Sequence, residues 1–182
     1  MPITIKHTQQ AGFSLLELMI TMAIVSILAM VAAPSFKSML ENNRTLTLAN
    51  QLISAFNYAR SESVKRRQPV TVCARNSAGN ACSSTDSFKN GWIVYVGNTP
   101  PTASSTANII GDTQINAGDM DISGSSTTLI RTVTYTITGS AKNSGSLYIS
   151  SNGVNKRKVI IAMNTGRVRT CRLPEGESEC SD

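Results

Sequence analysis

Basic residues are concentrated near the end of the sequence. Between residues 156 and 172 the chain has six cations and no acid: Lys156, Arg157, Lys158, Arg167, Arg169 and Arg172. Arg167 and Arg169 alternate with Val168, so on a β-strand they would lie on one face. Gly166 permits a tight turn that brings the two basic segments together. Because arginine donates two parallel hydrogen bonds to phosphate, the cluster predicts sequence-independent contact with the backbone of double-stranded DNA.

The alternative for this cluster is a hairpin whose outward face is basic without a ligand. The net charge of +6 and the pI of about 9.4 favour an anionic partner, either nucleic acid or lipid headgroups, without indicating a fold. Three acids follow the cluster: Glu175, Glu177 and Glu179. They either fold back on the arginines or lie across the loop and leave them free.

The four cysteines form two local pairs, Cys73 with Cys82 and Cys171 with Cys180. Neither pair has the short spacing of a zinc site, and His7 is the sole histidine, which argues against a metal site. An even number of cysteines in an exported chain favours disulfides, and we expect each pair to close a loop of about ten residues. Four buried free thiols are the alternative.

No pattern in the sequence indicates catalysis. Because His7 is the sole histidine, the body of the chain has no Ser-His or Cys-His nucleophile pair, and it has no glycine-rich phosphate loop. Asp119 and Asp121 lie in the segment 118–124 without the spacing of an EF-hand, so we interpret them as solvated loop acids, with a cation site as the minor alternative. We expect no enzymatic activity, no cofactor and no metal.

The other end of the chain is apolar. Residues 13–33 carry one charge, Glu17, and as a helix they would extend about 31 Å, which is enough to cross a bilayer. In a secretory signal peptide the apolar region precedes the cleavage site, whereas here Gly12-Phe13 precedes the apolar region. Lys6 before the span suits a cytoplasmic N-terminus. A carboxylate inside such a span costs a few kcal/mol, so Glu17 requires a partner.

The segment from Gly12 to Glu17 resembles the prepilin processing site shared by type IV pilins and type II secretion pseudopilins. The resemblance implies that a prepilin peptidase cuts after Gly12 and methylates the new amine of Phe13. It also implies that Glu17 pairs with the Phe13 amine of a neighbouring subunit, which would offset part of the desolvation of both charges. A single-span anchor with an unrelated glutamate is the alternative.

A long helix should position this segment. We expect it to run from residue 13 to about residue 65, with a bend at Pro34 and an end before Pro69. An apolar stripe at three- and four-residue steps predicts that its second half packs on a sheet. The stripe consists of Leu46, Ala49, Leu52, Ile53, Phe56 and Ala59. The basic run 65–67 suits the C-terminus of the helix.

After Pro69 the hydrophobic pattern has a period of two, which predicts β-strands. The predicted strands are Val70–Ala74, 92–96, 129–138, 146–150, 158–163 and Val168–Arg172. Residues 97–126 are rich in Gly, Ser, Thr, Asn and Pro, and predict a long surface excursion with at most a short strand at 108–110. One helix followed by an antiparallel sheet is an α+β fold. We expect Trp92 to be a core anchor.

Three further segments, 67–73, 91–95 and 166–169, resemble the FimT/GspH group of minor pilins and pseudopilins. FimT-type minor pilins carry a C-terminal Gly-Arg-x-Arg motif implicated in DNA uptake during natural transformation, and Gly166-Arg167-Val168-Arg169 matches it. The resemblance implies a minor type IV pilin of the competence pathway. The alternative is a GspH-like type II secretion pseudopilin, or a structural or tip minor pilin without DNA binding.

The resemblance also implies a domain organisation and a location. Residues 1–12 would be the removed leader, 13–40 the transmembrane and filament-core helix, and 41–182 the globular pilin domain. The protein would sit in the inner membrane with a cytoplasmic N-terminus before assembly, and in an extracellular pilus or the periplasm afterwards. Its partners would be DNA, other pilins and the prepilin peptidase.

Overall fold

The computed structural model describes residues 12–83, 87–102, 108–115, 118–126, 131–174 and 176–180. Its first element is the helix α1, Leu15–Arg66. Ser14 caps this helix, because its hydroxyl oxygen accepts a hydrogen bond of 3.2 Å from the backbone N–H of Glu17. At the other end, Arg67 has a φ of 52°, a left-handed conformation that stops the helix two residues before Pro69. The predicted long helix is confirmed.

The boundary between two compact units lies within α1, between Leu40 and Glu41. In the first unit, large apolar side chains are exposed, among them Phe13 at 87% and Leu15 at 76%. The hydroxyls of Thr21 and Ser26 donate hydrogen bonds of 2.9 and 2.8 Å to carbonyl oxygens of their own helix. The helix itself therefore satisfies these two hydroxyls within the apolar stretch.

Within the described residues, no single straight helix is long and apolar enough to cross a membrane. A bend of 41° divides α1 into the stretches Leu15–Met30 and Ser35–Arg66, which together have the length and composition of a membrane span. The break contains Pro34, the residue at which the sequence predicts a bend.

The second unit, Glu41–Asp182, contains the second half of α1 and the sheets. The strands in its described part are β1 Val70–Ala74, β2 Gly91–Val96, β3 Ile109–Gln114, β4 Met120–Gly124, β5 Thr132–Tyr135, β6 Gly145–Ser151, β7 Val154–Ile161 and β8 Val168–Arg172. They form two four-stranded antiparallel sheets. Sheet 1 has the order β3-β2-β1-β5 and sheet 2 has the order β4-β6-β7-β8. The α+β prediction is confirmed, with two sheets where the sequence suggested one.

Most strands agree with the sequence, since β1 and β8 have the predicted bounds and β2, β6 and β7 overlap the predicted segments. The predicted excursion 97–126 is wrong in part, because it contains β4 and because β3 is longer than the short strand expected at 108–110. Asp121 lies on β4, not in a loop, and its neighbour Ile122 is buried. In residues 118–126, the apolar Met120 and Ile122 are surrounded by glycine, serine and aspartate. Their alternation with Asp121 was therefore too short a pattern to predict a strand.

The predicted strand 129–138 is shorter in the structure. Residues 129 and 130 lie outside the described residues, and β5 ends at Tyr135. Thr136 turns the chain instead, because its hydroxyl lies within hydrogen-bonding distance of the hydroxyls of Thr138 (2.9 Å) and Ser140 (2.7 Å). Side-chain hydrogen bonds of this kind compete with a strand ladder.

The core lies between the second half of α1 and the two sheets. Phe56 of α1 packs edge-on against Phe88, with ring centroids 6.0 Å apart, and Trp92 is buried as predicted. The buried residues of the main cluster all lie between Leu48 and Ile161. A fragment beginning at Glu41 therefore retains this cluster.

Both predicted disulfides are present. Cys73 is bonded to Cys82 and Cys171 to Cys180, with Cα–Cα distances of 5.6 and 5.8 Å. The first bond lies on the face of sheet 1 opposite the main core, where Cys73 packs with Ile93. The second bond joins β8 to the chain terminus. The local pairing predicted from the sequence is confirmed.

The C-terminal turn of α1 should make the protein acid-sensitive. The hydrogen bond from Arg66 Nε to the Glu62 carboxylate, 2.5 Å long, is the main cause that lowers the pKa of Glu62 below its ordinary value of 4.5. A lowered acid pKa contributes stability that is present above the ordinary value and lost as the pH falls below it. We expect Glu62→Gln to lower the melting temperature near pH 7, and the difference from wild type to shrink as the pH falls below 4.5 and the carboxylate is protonated.

The matched control is Glu179→Gln, which removes an exposed carboxylate without an ion pair in the described part of the chain. It should leave the melting temperature unchanged both at neutral pH and in acid. A Glu62→Gln deficit that persists unchanged in acid would show that the carboxylate charge is not the cause.

Candidate nucleic-acid interface

The basic residues lie on the hairpin formed by β7 and β8, where β8 is an edge strand of sheet 2. In this antiparallel pair Arg157 is opposite Arg172, Lys158 opposite Cys171, and Ile160 opposite Arg169. Directly opposed residues share a face, and successive residues along a strand alternate between faces. The register therefore decides which cations lie together.

Arg167 and Arg169 share the outer face of sheet 2, which points away from the main core. The carbonyl of Arg167 accepts a hydrogen bond of 3.0 Å from the N–H of Ala162, which continues the ladder beyond β8 and keeps the alternation. Both arginines are exposed. Within the described residues, neither side chain makes a hydrogen bond or an ion pair. The predicted sharing of one face thus follows from the observed register.

Arg157 and Arg172 lie on the opposite, inner face. Arg157 is aligned with Ile149 of β6, and the next inward residue of β7, Val159, is fully buried. The six cations therefore do not form one surface, which corrects their grouping from the sequence. The spacing already contained this information, because Arg157 and Lys158 are consecutive and Arg172 follows Arg169 by an odd number of residues.

Lys158 is on the outer face but is engaged within the chain. Its ammonium lies 5.5 Å from the ring centroid of Tyr148, the residue opposite it on β6, and donates a hydrogen bond of 3.0 Å to the carbonyl of Ser178. Together with the Cys171–Cys180 bond, this contact holds the terminal segment 176–180 against the outer face. Lys158 thus positions the tail and is only secondarily a candidate anion ligand.

The described acids of the terminal segment 176–180 do not neutralise Arg167 and Arg169. Glu177 and Glu179 are exposed and make no ion pair with Arg167 or Arg169 among the described residues, and Glu175 lies outside them. Lys156 sits at the irregularity in the β6–β7 pairing, and its carbonyl accepts a hydrogen bond of 3.0 Å from the N–H of Leu173.

The turn between β7 and β8 is fixed by a close backbone approach. Gly166 has a φ of 61°, and a Cβ at this position would lie 2.0 Å from the carbonyl oxygen of Gly139. The same oxygen accepts a hydrogen bond of 3.0 Å from Nε of Arg60 on α1. The sequence predicted that Gly166 permits a turn, but the contact with Gly139 depends on tertiary packing and has no local signature.

The second candidate site is at the start of α1. Gly12 and Phe13 precede the helix, and Glu17 is exposed on its first turn. An acid on the first turn is favoured by the helix dipole, which gives Glu17 a local role in addition to any partner. The capping function of Ser14 was missed in the sequence, although serine followed three residues later by glutamate is the recognised spacing of a capping box.

Comparison with known proteins identifies the class of this fold. The structure is similar to the crystal structure of the type IV minor pilin FimU of Pseudomonas aeruginosa strain PAO1, with a TM-score of 0.54 and 20% sequence identity over 74% of this chain and 91% of that chain. A second crystal form of FimU matches with a TM-score of 0.48 and 18% identity, covering 71% and 92% of the two chains. The first of these two matches shows that the fold is that of a type IV pilin.

Two sequence families match the chain. Residues 48–166 match the family of the type II transport protein GspH, and residues 7–33 match the prokaryotic N-terminal methylation motif. The first match covers more than half of the chain, and the protein belongs to the GspH family of pilin-like proteins. These are structural proteins of pili and secretion systems, not enzymes. No curated protein sequence matches the chain.

The family match ends at Gly166, immediately before the two outer arginines. It therefore includes β7 but not β8, and it carries no information about Arg167 and Arg169.

Replacing Gly166 should disturb the hairpin more than an ordinary glycine substitution. Gly166→Ala forces alanine into the left-handed region and into contact with the Gly139 carbonyl, so we expect a loss of unfolding free energy of about 2 kcal/mol or more. Gly153→Ala is the matched control, because Gly153 has a φ of 76° but no atom near its absent Cβ. It should cost about 1 kcal/mol. Urea unfolding of the fragment beginning at Glu41 measures both, and equal losses would mean that the Gly139 contact is unimportant.

Proposed function

We propose that this protein is a minor type IV pilin that binds extracellular double-stranded DNA without sequence preference, for uptake in natural transformation. The observation that carries the proposal is the pair Arg167 and Arg169. They are exposed on one face of an edge strand, two residues apart, and without an anionic partner among the described residues.

The physical argument rests on uncompensated charge. The guanidinium groups of Arg167 and Arg169 remain available to phosphate oxygens, to which guanidinium groups donate bidentately. An edge strand lets a bulky duplex approach from the side. With two phosphates neutralised directly, affinity should be modest and salt-dependent.

The terminal segment 176–180 lies against the same outer face as Arg167 and Arg169. Lys158 and the Cys171–Cys180 bond hold it in place, and in this position the exposed Glu177 and Glu179 make no ion pair with Arg167 or Arg169 among the described residues. We therefore assign Lys158 a positioning role, and we place Lys156, Arg157 and Arg172 outside the primary DNA surface.

Charge removal on β8 tests the proposal. In a mobility-shift titration with a mixed-sequence duplex, the fragment Arg167→Gln/Arg169→Gln should bind about tenfold or more weakly than wild type, because two charge-assisted contacts are lost. The magnitude of the log–log salt slope should fall by about 1.8, or 0.9 for each phosphate.

The matched control is Arg44→Gln/Lys89→Gln, which removes two exposed cations from α1 and from the turn Phe88–Asn90. It lowers the net charge equally and should bind DNA nearly as wild type does. If the control weakens binding as much as the β8 variant, only bulk charge matters and the proposed interface is wrong.

We further propose that a prepilin peptidase cuts after Gly12 and methylates the amine of Phe13, and that Glu17 pairs with this amine in a neighbouring subunit. The chain would be anchored in the inner membrane with its N-terminus in the cytoplasm before it assembles into a pilus. The methylation-motif match over residues 7–33 supports this, as do the exposed apolar residues of the first unit and the unpaired, exposed carboxylate of Glu17.

Glu17 should matter for assembly and not for membrane insertion. Glu17→Leu removes the carboxylate without lowering apolarity, so we expect the protein to accumulate in membranes but to be lost from sheared pili. Thr21→Ala is the control, because the Thr21 hydroxyl is already satisfied by its own helix. Immunoblots of both fractions provide the measurement, and wild-type amounts of Glu17→Leu in pili would contradict the pairing.

A second candidate function is a type II secretion pseudopilin without DNA binding, which the GspH family match favours. The two functions differ in cells. If the Arg167→Gln/Arg169→Gln strain keeps its pili but loses transformation, the pilus function holds. If transformation is normal and deletion of the gene abolishes secretion, the pseudopilin function holds.

A further inference from the structure

The inner face of the β7–β8 hairpin holds two arginines without an acid. Arg157 and Arg172 are directly opposite each other, and Thr170 is the next inward residue on β8. The Nε atom of Arg157 and the Oγ1 atom of Thr170 are both buried and have no hydrogen-bond partner among the described residues. In the described part of the chain, Glu41 accepts a hydrogen bond of 3.0 Å from Asn152 beside this hairpin and makes no ion pair with either arginine.

This arrangement is unfavourable in the isolated chain. Like charges opposite each other on neighbouring strands repel, and a buried donor without an acceptor costs desolvation free energy. Burial, followed by the charge of Arg172, lowers the pKa of Arg157 below its ordinary value. An anion between the two guanidinium groups would offset both costs, because it would neutralise the repulsion and accept a hydrogen bond from the buried donor.

We propose that Arg157, Arg172 and Thr170 form a carboxylate-binding site for an Asp or Glu side chain of a neighbouring pilin subunit. A carboxylate accepts two parallel hydrogen bonds from the Nε edge of an arginine, and a third from a hydroxyl. Because the Nε atom of Arg157 is buried, the ligand must enter on a slender side chain. A phosphodiester held in a duplex backbone is too bulky for this.

The position of the site separates it from the DNA surface. Arg167 and Arg169 point to the outer face and this pair to the inner face, so the two anions approach the hairpin from opposite sides. The inference rests on the assembly of this chain with other pilins, and it does not depend on DNA binding.

Acetate is the simplest probe of the site. In the fragment beginning at Glu41, titration with sodium acetate against sodium chloride at equal ionic strength should shift the Nε–Hε resonance of Arg157 saturably. The apparent affinity should fall about fivefold or more in Arg172→Gln and in Arg157→Lys, which keeps the charge but lacks the planar fork. Thr170→Val, which should fold well because it removes an unsatisfied hydroxyl, should weaken acetate binding and leave a measurable remainder.

Filament assembly and DNA binding distinguish the possible sources of the anion. Arg157→Gln/Arg172→Gln should be depleted from sheared pili while its fragment shifts DNA as wild type does. An acetate titration that leaves the Arg157 resonance unmoved, or wild-type incorporation of this variant, overturns the proposal. Equal loss of DNA binding in the inner and outer variants also overturns it, since the cluster would then belong to the DNA surface. If the outer variant binds DNA normally while the acetate result holds, the DNA proposal fails and this one stands.

Discussion

The antiparallel register between β7 and β8 is the constraint on which both proposed sites depend. Because side chains alternate along a strand, pairing Arg169 with Ile160 directs Arg169 outward, and pairing Arg157 with Arg172 directs both inward. A slip of one residue would exchange the two sets. Two contacts oppose such a slip. Gly166 is packed on the Gly139 carbonyl at the turn, and the tail that Cys180 joins to Cys171 of β8 accepts a hydrogen bond from Lys158 of β7.

The two halves of the long helix α1 belong to different units and have different roles. Beyond Glu41 it supplies the apolar stripe on which the sheets pack, and Arg60 connects it to the turn that orients β8. Before that boundary, large apolar side chains of its described residues are exposed. Such a surface is costly in water and favourable against lipid or other pilin helices. The capped start at Ser14 presents Glu17 on the first turn of this surface.

Local patterns predicted the helix, most strands and both disulfides, because each depends on residues that are close in sequence. The helix has an apolar stripe, the strands have a period of two, and the cysteines occur in local pairs. Features set by tertiary packing were less accessible. Strand β4 was hidden by turn-forming residues around Ile122, and the contact of Gly166 with Gly139 joins positions far apart in sequence. The separation of Arg157 from Lys158 onto opposite faces was visible in their spacing and was overlooked. The six cations were grouped because they are close in sequence, although the alternation of side chains along a strand places them on two faces.

The central claim is that the outer face of β8, and not basic charge in general, contacts DNA. A chemical-shift map of the isotope-labelled fragment beginning at Glu41, titrated with a short mixed-sequence duplex at low salt, tests it most directly. The account predicts that the largest shifts occur at Arg167 and Arg169, with Arg157 and Arg172 unmoved. Shifts centred on the inner face or elsewhere on the protein, or no shifts at all, would contradict it.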